Sequence, residues 1–370
     1  MNTRIIILVG SFKTGGAERM ALRIGKQLSQ RGLDVHYVIQ NNIQELPHNV
    51  PPNRLHILTE YDPNRSRLHY FQKIMLLRKV TKKVKPKAIV AFTRFSSFLA
   101  TFSGVDNIIG TYDYPPYIVK SKMKHFESDW AISWPWTRKI LVPSKGLYRS
   151  IRGRSKFHKS KLGYLPNCID FEDIKESAQQ SNKITTAGGE TQQGQYIIAI
   201  GRLCLAKNFP LLLEAFKESK IRQSHKLLIV GHGVLEKQLE ELVHELRLTN
   251  YVIFTGKVAN PFPLLSRASF LVNTSIEESF CLVILEALAL GVPVVATDCD
   301  FGPADMVVDN VNGRLVPNRN KKELISVLDE IEANPSLLSK WASKASDSVR
   351  SFSSQEVGEQ YFRLIQQDME

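Results

Sequence analysis

Short apolar runs that stop at a glycine or a polar loop, each followed by a stretch with apolar positions three and four apart, recur through this chain. Arg4 to Val9 reads as a strand, Gly10 to Gly16 as a glycine-bearing loop, and Ala17 to Arg31 as an amphipathic helix closed by Gly32. Val35 to Ile39 is the next strand. This strand-loop-helix-strand order specifies a parallel, doubly wound sheet, whose ligands sit at the carboxyl ends of the strands. Leu68 to Lys87 reads as a helix with a strongly basic face, ended by Pro86, and the strands Ala88 to Phe92 and Ile108 to Thr111 follow. The pattern lapses between Gln179 and Gln195, a run of Gln, Ser, Thr and Gly that reads as a flexible surface linker. It restarts with Tyr196 to Ile200, the helix Pro210 to Lys217, and a strand-turn-helix built on Leu227 to Val230, Gly231-His232-Gly233 and a helix through Leu246. Two cations, Arg202 and Lys207, follow Gly201 at the carboxyl end of the restarting strand. The tail, Ser354 to Glu370, reads as an amphipathic helix.

One stretch organises the second half: SIEESFCLVILEALALGVPVVAT, from Ser275 to Thr297. Ser279 is placed as an N-cap, Phe280 to Leu290 is apolar except for Glu286, and Gly291 and Pro293 end the segment before a buried strand at Val292 to Thr297. On that reading Glu278 and Glu286 stand roughly 12 Å apart along a helix axis. The free amides of the first turn between them offer a site for a phosphate. A sugar nucleotide has that outline, with a hexose at one end, a ribose at the other and a diphosphate between.

At 370 residues, 43% hydrophobic and 23% charged, the chain has room for two cores. The apolar run after Met1 is too short for a signal peptide, and no run reaches the length of a membrane span. Cys168, Cys204, Cys281 and Cys299 are scattered without a CxxC pair, which disfavours disulfide and zinc frameworks and points to a reduced cytoplasmic compartment. The net charge of +13 is uneven: residues 1–170 carry 29 Lys and Arg against 10 Asp and Glu, the remainder 20 against 26. A polyanion or an anionic membrane face is therefore the expected partner of the first half. Nucleic acid is not expected, because no recognition motif accompanies the basic residues, among them the cluster Arg149 to Lys161. Trp130, Trp134 and Trp136 lie close together and suit either a core or lipid headgroups and sugar faces. Asp298-Cys299-Asp300 has the form of a metal and diphosphate motif but stands after a strand of the second half, so no metal is assigned to it.

The stretch Glu278 to Thr297, with FGPADMVVDNVNGRLVP after it, GGAERMALRIGKQL near the start, LPNCID at mid-chain and GRLCLAKNFPLLLEAF beyond, closely resembles the retaining glycosyltransferases of group 1 over nearly the whole chain. The resemblance implies an α/β fold of GT-B type: two Rossmann-like doubly wound domains facing a cleft. It implies an acceptor-side domain over 1–170 whose last strand is Lys139 to Pro143, a linker over 171–195, a nucleotide-sugar domain over 196–353, and a helix over 354–370 crossing back to the first domain. Catalytic roles fall on Glu278, Arg202 and Lys207, the two cations neutralising the departing diphosphate without a metal or other cofactor. Donor contacts fall on Gly15, Gly16, Gly201, Val258, Phe280, Cys281, Leu282, Val283 and Glu286. Asp113 stands where relatives carry acceptor-side residues, and Ser279-Phe280-Cys281 replaces the common Gly-Phe-Gly. The implied reaction moves a hexose or N-acetylhexosamine from a UDP sugar to a glycan, lipid-linked for an enzyme on the inner membrane face. A sugar-nucleotide epimerase and a catalytically silent donor-binding subunit are the alternatives.

Overall fold

The computed structural model describes residues 3–13, 15–61, 68–112, 122–153, 159–180, 185–186, 189–190 and 196–367. The chain divides into two units, Met1–Cys168 with Ser354–Glu370, and Ile169–Ser353. Asp113 lies outside the described residues, as does part of the basic cluster between Arg149 and Lys161.

In the first unit seven parallel strands lie in the order β3-β2-β1-β4-β5-β6-β7. They are β1 (Arg4–Val9), β2 (Asp34–Asn41), β3 (Leu55–Thr59), β4 (Ala88–Ala91), β5 (Ile108–Thr111), β6 (Thr137–Val142) and β7 (Leu162–Tyr164). The order reverses beside β1, which pairs with β2 through Ile6 opposite His36 and with β4 through Ile6 opposite Ile89. Such a central strand is covered on both faces and so is apolar at consecutive positions. Ile5, Ile7 and Val9 pack toward the helix Gly16–Gln30, and Ile6 and Leu8 toward the other face with Leu77 and Leu99. The helix Leu68–Val84 stops three residues before its expected end, because Lys85 turns into the left-handed region ahead of Pro86. β3 and β7 were not anticipated. Lys139 to Pro143 is therefore not the last strand: β6 covers it, and β7 adds an edge beyond it.

The closing helix Ser354–Gln366 belongs to this first unit and lies against Gly16–Gln30. Arg31 bonds Glu359 at 3.2 Å, and the guanidinium also donates to the Gln355 carbonyl at 2.9 Å. A side chain at Gly358 would stand 2.6 Å from Cβ of Gln27, so glycine is what allows the two helices to approach this closely.

The second unit begins earlier than the sequence pattern indicates. Asp170 caps a helix over Phe171–Gln179, so the first nine residues of the expected 171–195 linker are helical. A two-stranded antiparallel pair, β8 (Thr185–Thr186) and β9 (Gly189–Glu190), follows. Six parallel strands then take the order β12-β11-β10-β13-β14-β15: β10 (Tyr196–Ile200), β11 (Lys226–Val230), β12 (Val252–Phe254), β13 (Leu271–Asn273), β14 (Val294–Asp298) and β15 (Gly313–Pro317). The reversal here falls between β10 and β13. Both units are thus doubly wound, and each has a crevice position fixed by topology at the carboxyl ends of its central strands.

Candidate active site

The loops after β10 and β13 are stitched together. Ile276 donates its amide to the Ala206 carbonyl at 2.8 Å, and the Thr274 hydroxyl donates to the carbonyls of Lys207 and Asn208, each at 3.1 Å. Asn208, left-handed with φ 49°, turns the chain from a short 3-10 segment, Leu205–Lys207, into the helix Phe209–Glu218. Two glycines hold the β10 loop from behind. A Cβ on Gly231 would stand 1.9 Å from the Gly201 oxygen, and one on Gly233 would stand 2.3 Å from the Leu203 oxygen. The Gly231-His232-Gly233 turn is therefore a close backbone contact supporting the Arg202–Lys207 loop.

On this platform the Lys207 ammonium and the Glu278 carboxylate meet in a direct hydrogen-bonded ion pair. The Ser275 hydroxyl donates to the same Glu278 oxygen at 2.7 Å. Ser275 is in turn held by its amide to Asn273 Oδ1 at 3.2 Å and by its carbonyl, which accepts from the Thr297 hydroxyl at 2.6 Å. The two side chains keep 20% and 14% of their surface exposed, enough to present the pair to a ligand. Burial, the largest single influence, would by itself lower the pKa of Lys207, but the charge and hydrogen bond of Glu278, with Cys281 and Cys204 nearby, together outweigh it and the pKa is raised, so the ammonium stays protonated. With three N–H donors and one used on Glu278, Lys207 can still donate to an anion. A Cβ on Gly201 would come within 3.2 Å of the Lys207 stem, and its absence leaves that stem room. Arg202, by contrast, is exposed at the start of the same loop.

The helix after this loop starts later than expected. It runs Leu282–Ala289, with Cys281 at the N-cap position in the left-handed region (φ 72°, ψ 72°), so Ser279 is not the cap. The left-handed turn also means that Glu278 lies four residues before the helix, and the 12 Å estimate drawn from a continuous helix does not apply. Among the described residues no side-chain cap bond is made at the first turn; the Ile284 amide bonds the Cys281 carbonyl at 3.1 Å, which leaves the amides of Leu282 and Val283 for a ligand. Glu286 is buried within this helix, and Phe280 is buried against Phe352. Leu282, Val283 and Val258 are half-buried against the same core.

Gly302, which sequence reasoning did not single out, fixes the turn: at φ 97° its missing Cβ would stand 2.2 Å from the Phe280 oxygen. Its signal was the Gly-Pro pair at a strand end. The buried Asn273, which donates to Cys281 Sγ at 3.4 Å, was also missed. Burial, and next the Glu278 charge, push the Cys281 thiol well up and the Cys299 thiol to about 12, so neither is a ready nucleophile. Among the described residues no three His, Cys, Asp or Glu side chains gather as a metal site around Asp298 and Asp300 or elsewhere.

In the first unit, Gly15 is extended at the helix start, and a Cβ there would stand 2.2 Å from Glu18 Oε2. The Glu18 carboxyl thus folds back over Gly15 and Gly16, its pKa raised by burial. Tyr112 is buried, and Asp113 beside it lies outside the described residues.

Known proteins resemble this chain in sequence and in fold. The family described as glycosyl transferases group 1 matches residues 180–348, and glycosyltransferase family 4 matches residues 14–173. An N-acetylgalactosamine-N,N'-diacetylbacillosaminyl-diphospho-undecaprenol 4-alpha-N-acetylgalactosaminyltransferase of Campylobacter jejuni is 25% identical over 358 residues, covering 94% of each chain. A poly(ribitol-phosphate) alpha-N-acetylglucosaminyltransferase of Staphylococcus aureus is 27% identical over 202 residues, 54% of this chain and 41% of that one. Among solved structures, Anabaena HepE in complex with UDP superposes with a TM-score of 0.78 at 19% identity, over 99% of this chain and 100% of that one. With two doubly wound units of GT-B type and two family matches that tile most of its length, the chain belongs to the group 1 glycosyltransferases.

Proposed function

We propose that this glycosyltransferase moves a hexose or N-acetylhexosamine from a UDP sugar to a lipid-linked glycan, with retention and without a metal. The observation that carries the reading is the Lys207–Glu278 pair at the point where the second sheet reverses. Breaking the bond between the anomeric carbon and the diphosphate leaves negative charge on the phosphate, and fixed cations aimed at that charge lower the barrier. Lys207 supplies one and Arg202 a second, planar one, while the amides of Leu282 and Val283 at the helix start supply dipoles. Glu278 accepts from sugar hydroxyls, and Glu286 takes the ribose end. With both buried thiols protonated, front-face substitution, in which the departing phosphate helps deprotonate the acceptor, accounts for retention.

The relatives support the finer points. Both transferases carry alpha linkages in their names, the retained outcome from an alpha-linked donor, and the C. jejuni enzyme acts on a diphospho-undecaprenol substrate. HepE was solved with UDP. In the first unit, the helix Leu68–Val84 exposes Phe71 and Met75 at one end and Arg78, Lys79, Lys82 and Lys83 at the other. That face suits an anionic cytoplasmic membrane surface, where each basic residue contributes roughly 1 kcal/mol.

The deciding assay supplies UDP sugars and a lipid extract and follows glycosylated product and UDP. Retention is read from the anomeric proton coupling of the product. Free 2-epimer sugar would replace this reading with an epimerase, and UDP binding without turnover would replace it with a silent subunit. Activity that vanishes with chelator and returns with added metal would overturn the metal-free step.

A further inference from the structure

A cavity of about 710 Å³ opens at the opposite edge of the first unit's sheet, lined by Thr3, Lys87, Asp106, Asn107, Pro135, Trp136, Thr137, Arg138 and Lys161. Five neighbouring strands build it, for these residues stand just before or at the start of β1, β4, β5, β6 and β7, which are consecutive in the sheet. This is the amino edge, whereas doubly wound sheets place their principal ligands at the carboxyl edge. We propose that this cavity is a second binding site, for an anionic saccharide.

Its chemistry divides into three parts. Lys87, Arg138 and Lys161 are three cations against the single carboxylate of Asp106. Cations are common here because helices end at this edge and leave carbonyls to be satisfied. Lys161 does this, donating to the Trp134 carbonyl at 2.6 Å and more weakly to that of Pro135 at 3.4 Å. That duty does not account for the other two groups of residues. Asn107 Oδ1 and Thr137 Oγ1 are buried behind the wall with no hydrogen-bond partner among the described residues, an arrangement that costs free energy until a small shift of the wall opens them to an occupant. Trp136 leaves 46% of its surface open at the rim while its ring is held edge-on by Trp134 at 5.8 Å, and Trp134 is stacked on Trp130 at 5.2 Å.

A braced, half-open indole offers an apolar face to a pyranose ring. Asp106, Asn107 and Thr137 suit its hydroxyls, and the cations suit a phosphate or carboxylate on it. The volume is that of an ordinary small-ligand site. An inorganic anion would leave the indole uncontacted, and a neutral sugar would leave the net positive charge of the lining unmatched.

The test is calorimetric titration of the full chain with glucose 6-phosphate and with glucuronate, beside glucose and inorganic phosphate, each with and without saturating UDP. Both anionic sugars are expected to bind at least about tenfold more tightly than glucose or phosphate, the loss expected when a charge-assisted bond is removed. UDP should leave this binding unchanged. Lys87→Glu and Arg138→Glu, both at exposed positions, should each weaken it about tenfold, and Trp136→Ala should weaken the sugar phosphate but not phosphate itself. Binding abolished by UDP would assign the probe to the donor site and overturn the proposal. So would phosphate binding as tightly as glucose 6-phosphate, unchanged affinity in all three variants, or no heat at about 10 mM probe. None of these readouts requires glycosyl transfer, so the proposal stands or falls apart from the assignment of the reaction.

Discussion

The two units share one winding rule and divide the work. In each, a parallel sheet reverses its strand order beside the first strand, yet the first half of the chain is rich in Lys and Arg while the second carries more Asp and Glu. The acidic unit nevertheless holds the paired cation at its reversal point, where Lys207 meets Glu278. Bulk charge and site charge are therefore set independently: the first by exposed helix faces, the second by two loops that topology places side by side.

The largest expected effect breaks this comparison at its centre. Lys207→Ala should cost on the order of 10²–10³ in kcat, and Arg202→Ala, more exposed, about 10². Glu278→Gln should lower kcat more than it raises KM for the donor, since its bonds strengthen as the sugar loses its leaving group. Steady-state kinetics on both substrates checks all three. In the first unit, Lys79→Glu with Lys82→Glu and Lys83→Glu should cut binding to anionic vesicles by about 10² or more while transfer to a soluble acceptor is unchanged, as roughly 1 kcal/mol for each charge implies. Vesicle sedimentation across salt concentrations reads this directly.

A smaller effect belongs to the second unit's architecture. Gly302→Ala forces a Cβ onto the Phe280 carbonyl from a positive φ and should destabilise by about 2 kcal/mol, seen in a denaturant melt.

The smallest is a dependence on pH. His36 Nδ1 and His56 Nε2 stand 3.1 Å apart at the β2–β3 edge, among Asp34, Arg4, Arg54 and Lys83. Burial lowers both from the ordinary 6.5, only partly opposed at His36 by Asp34, and His56 is lowered further by His36 and Lys83. Folding favours the neutral rings, so their contribution is full above pH 6.5 and is lost as pH falls below it. In the second unit burial lowers His225, but Glu332 opposes it. Two such rings in the first unit and one in the second lose their contribution in acid, so the melting temperature should fall as the pH drops below about 6.5, and His56→Gln should reduce that shift.

Much of this was legible. Ile5 to Val9 and Tyr196 to Ile200 are continuous apolar runs because strands covered on both faces must be, and the structure places β1 and β10 there. The short edge strands β3 and β7 escaped, since a few residues such as Leu162 to Tyr164, the first buried and the other two half-buried, give no period to read. The start of the Glu286 helix was misplaced because Ser279 and the apolar Phe280 imitate a cap and first turn. Only the left-handed Cys281, at a position where relatives commonly have glycine, marks the true beginning. Lys207 and Glu278 each stood out in the sequence as candidates, but their bond did not, because 71 residues separate them and only the β10–β13 adjacency joins them.

The closing helix on Gly16–Gln30 has a consequence for the order in which the protein is made. The first unit cannot be finished when residue 168 leaves the ribosome, because the face of that helix near Gln27 and Arg31 waits for Ser354–Gln366. At ordinary synthesis rates the intervening 169–353 segment takes about 10–40 s to emerge. The second unit, contiguous in sequence, is complete before the first, so a nascent chain whose residue 353 has just cleared the ribosome should hold a folded second unit and a first unit still open along that helix.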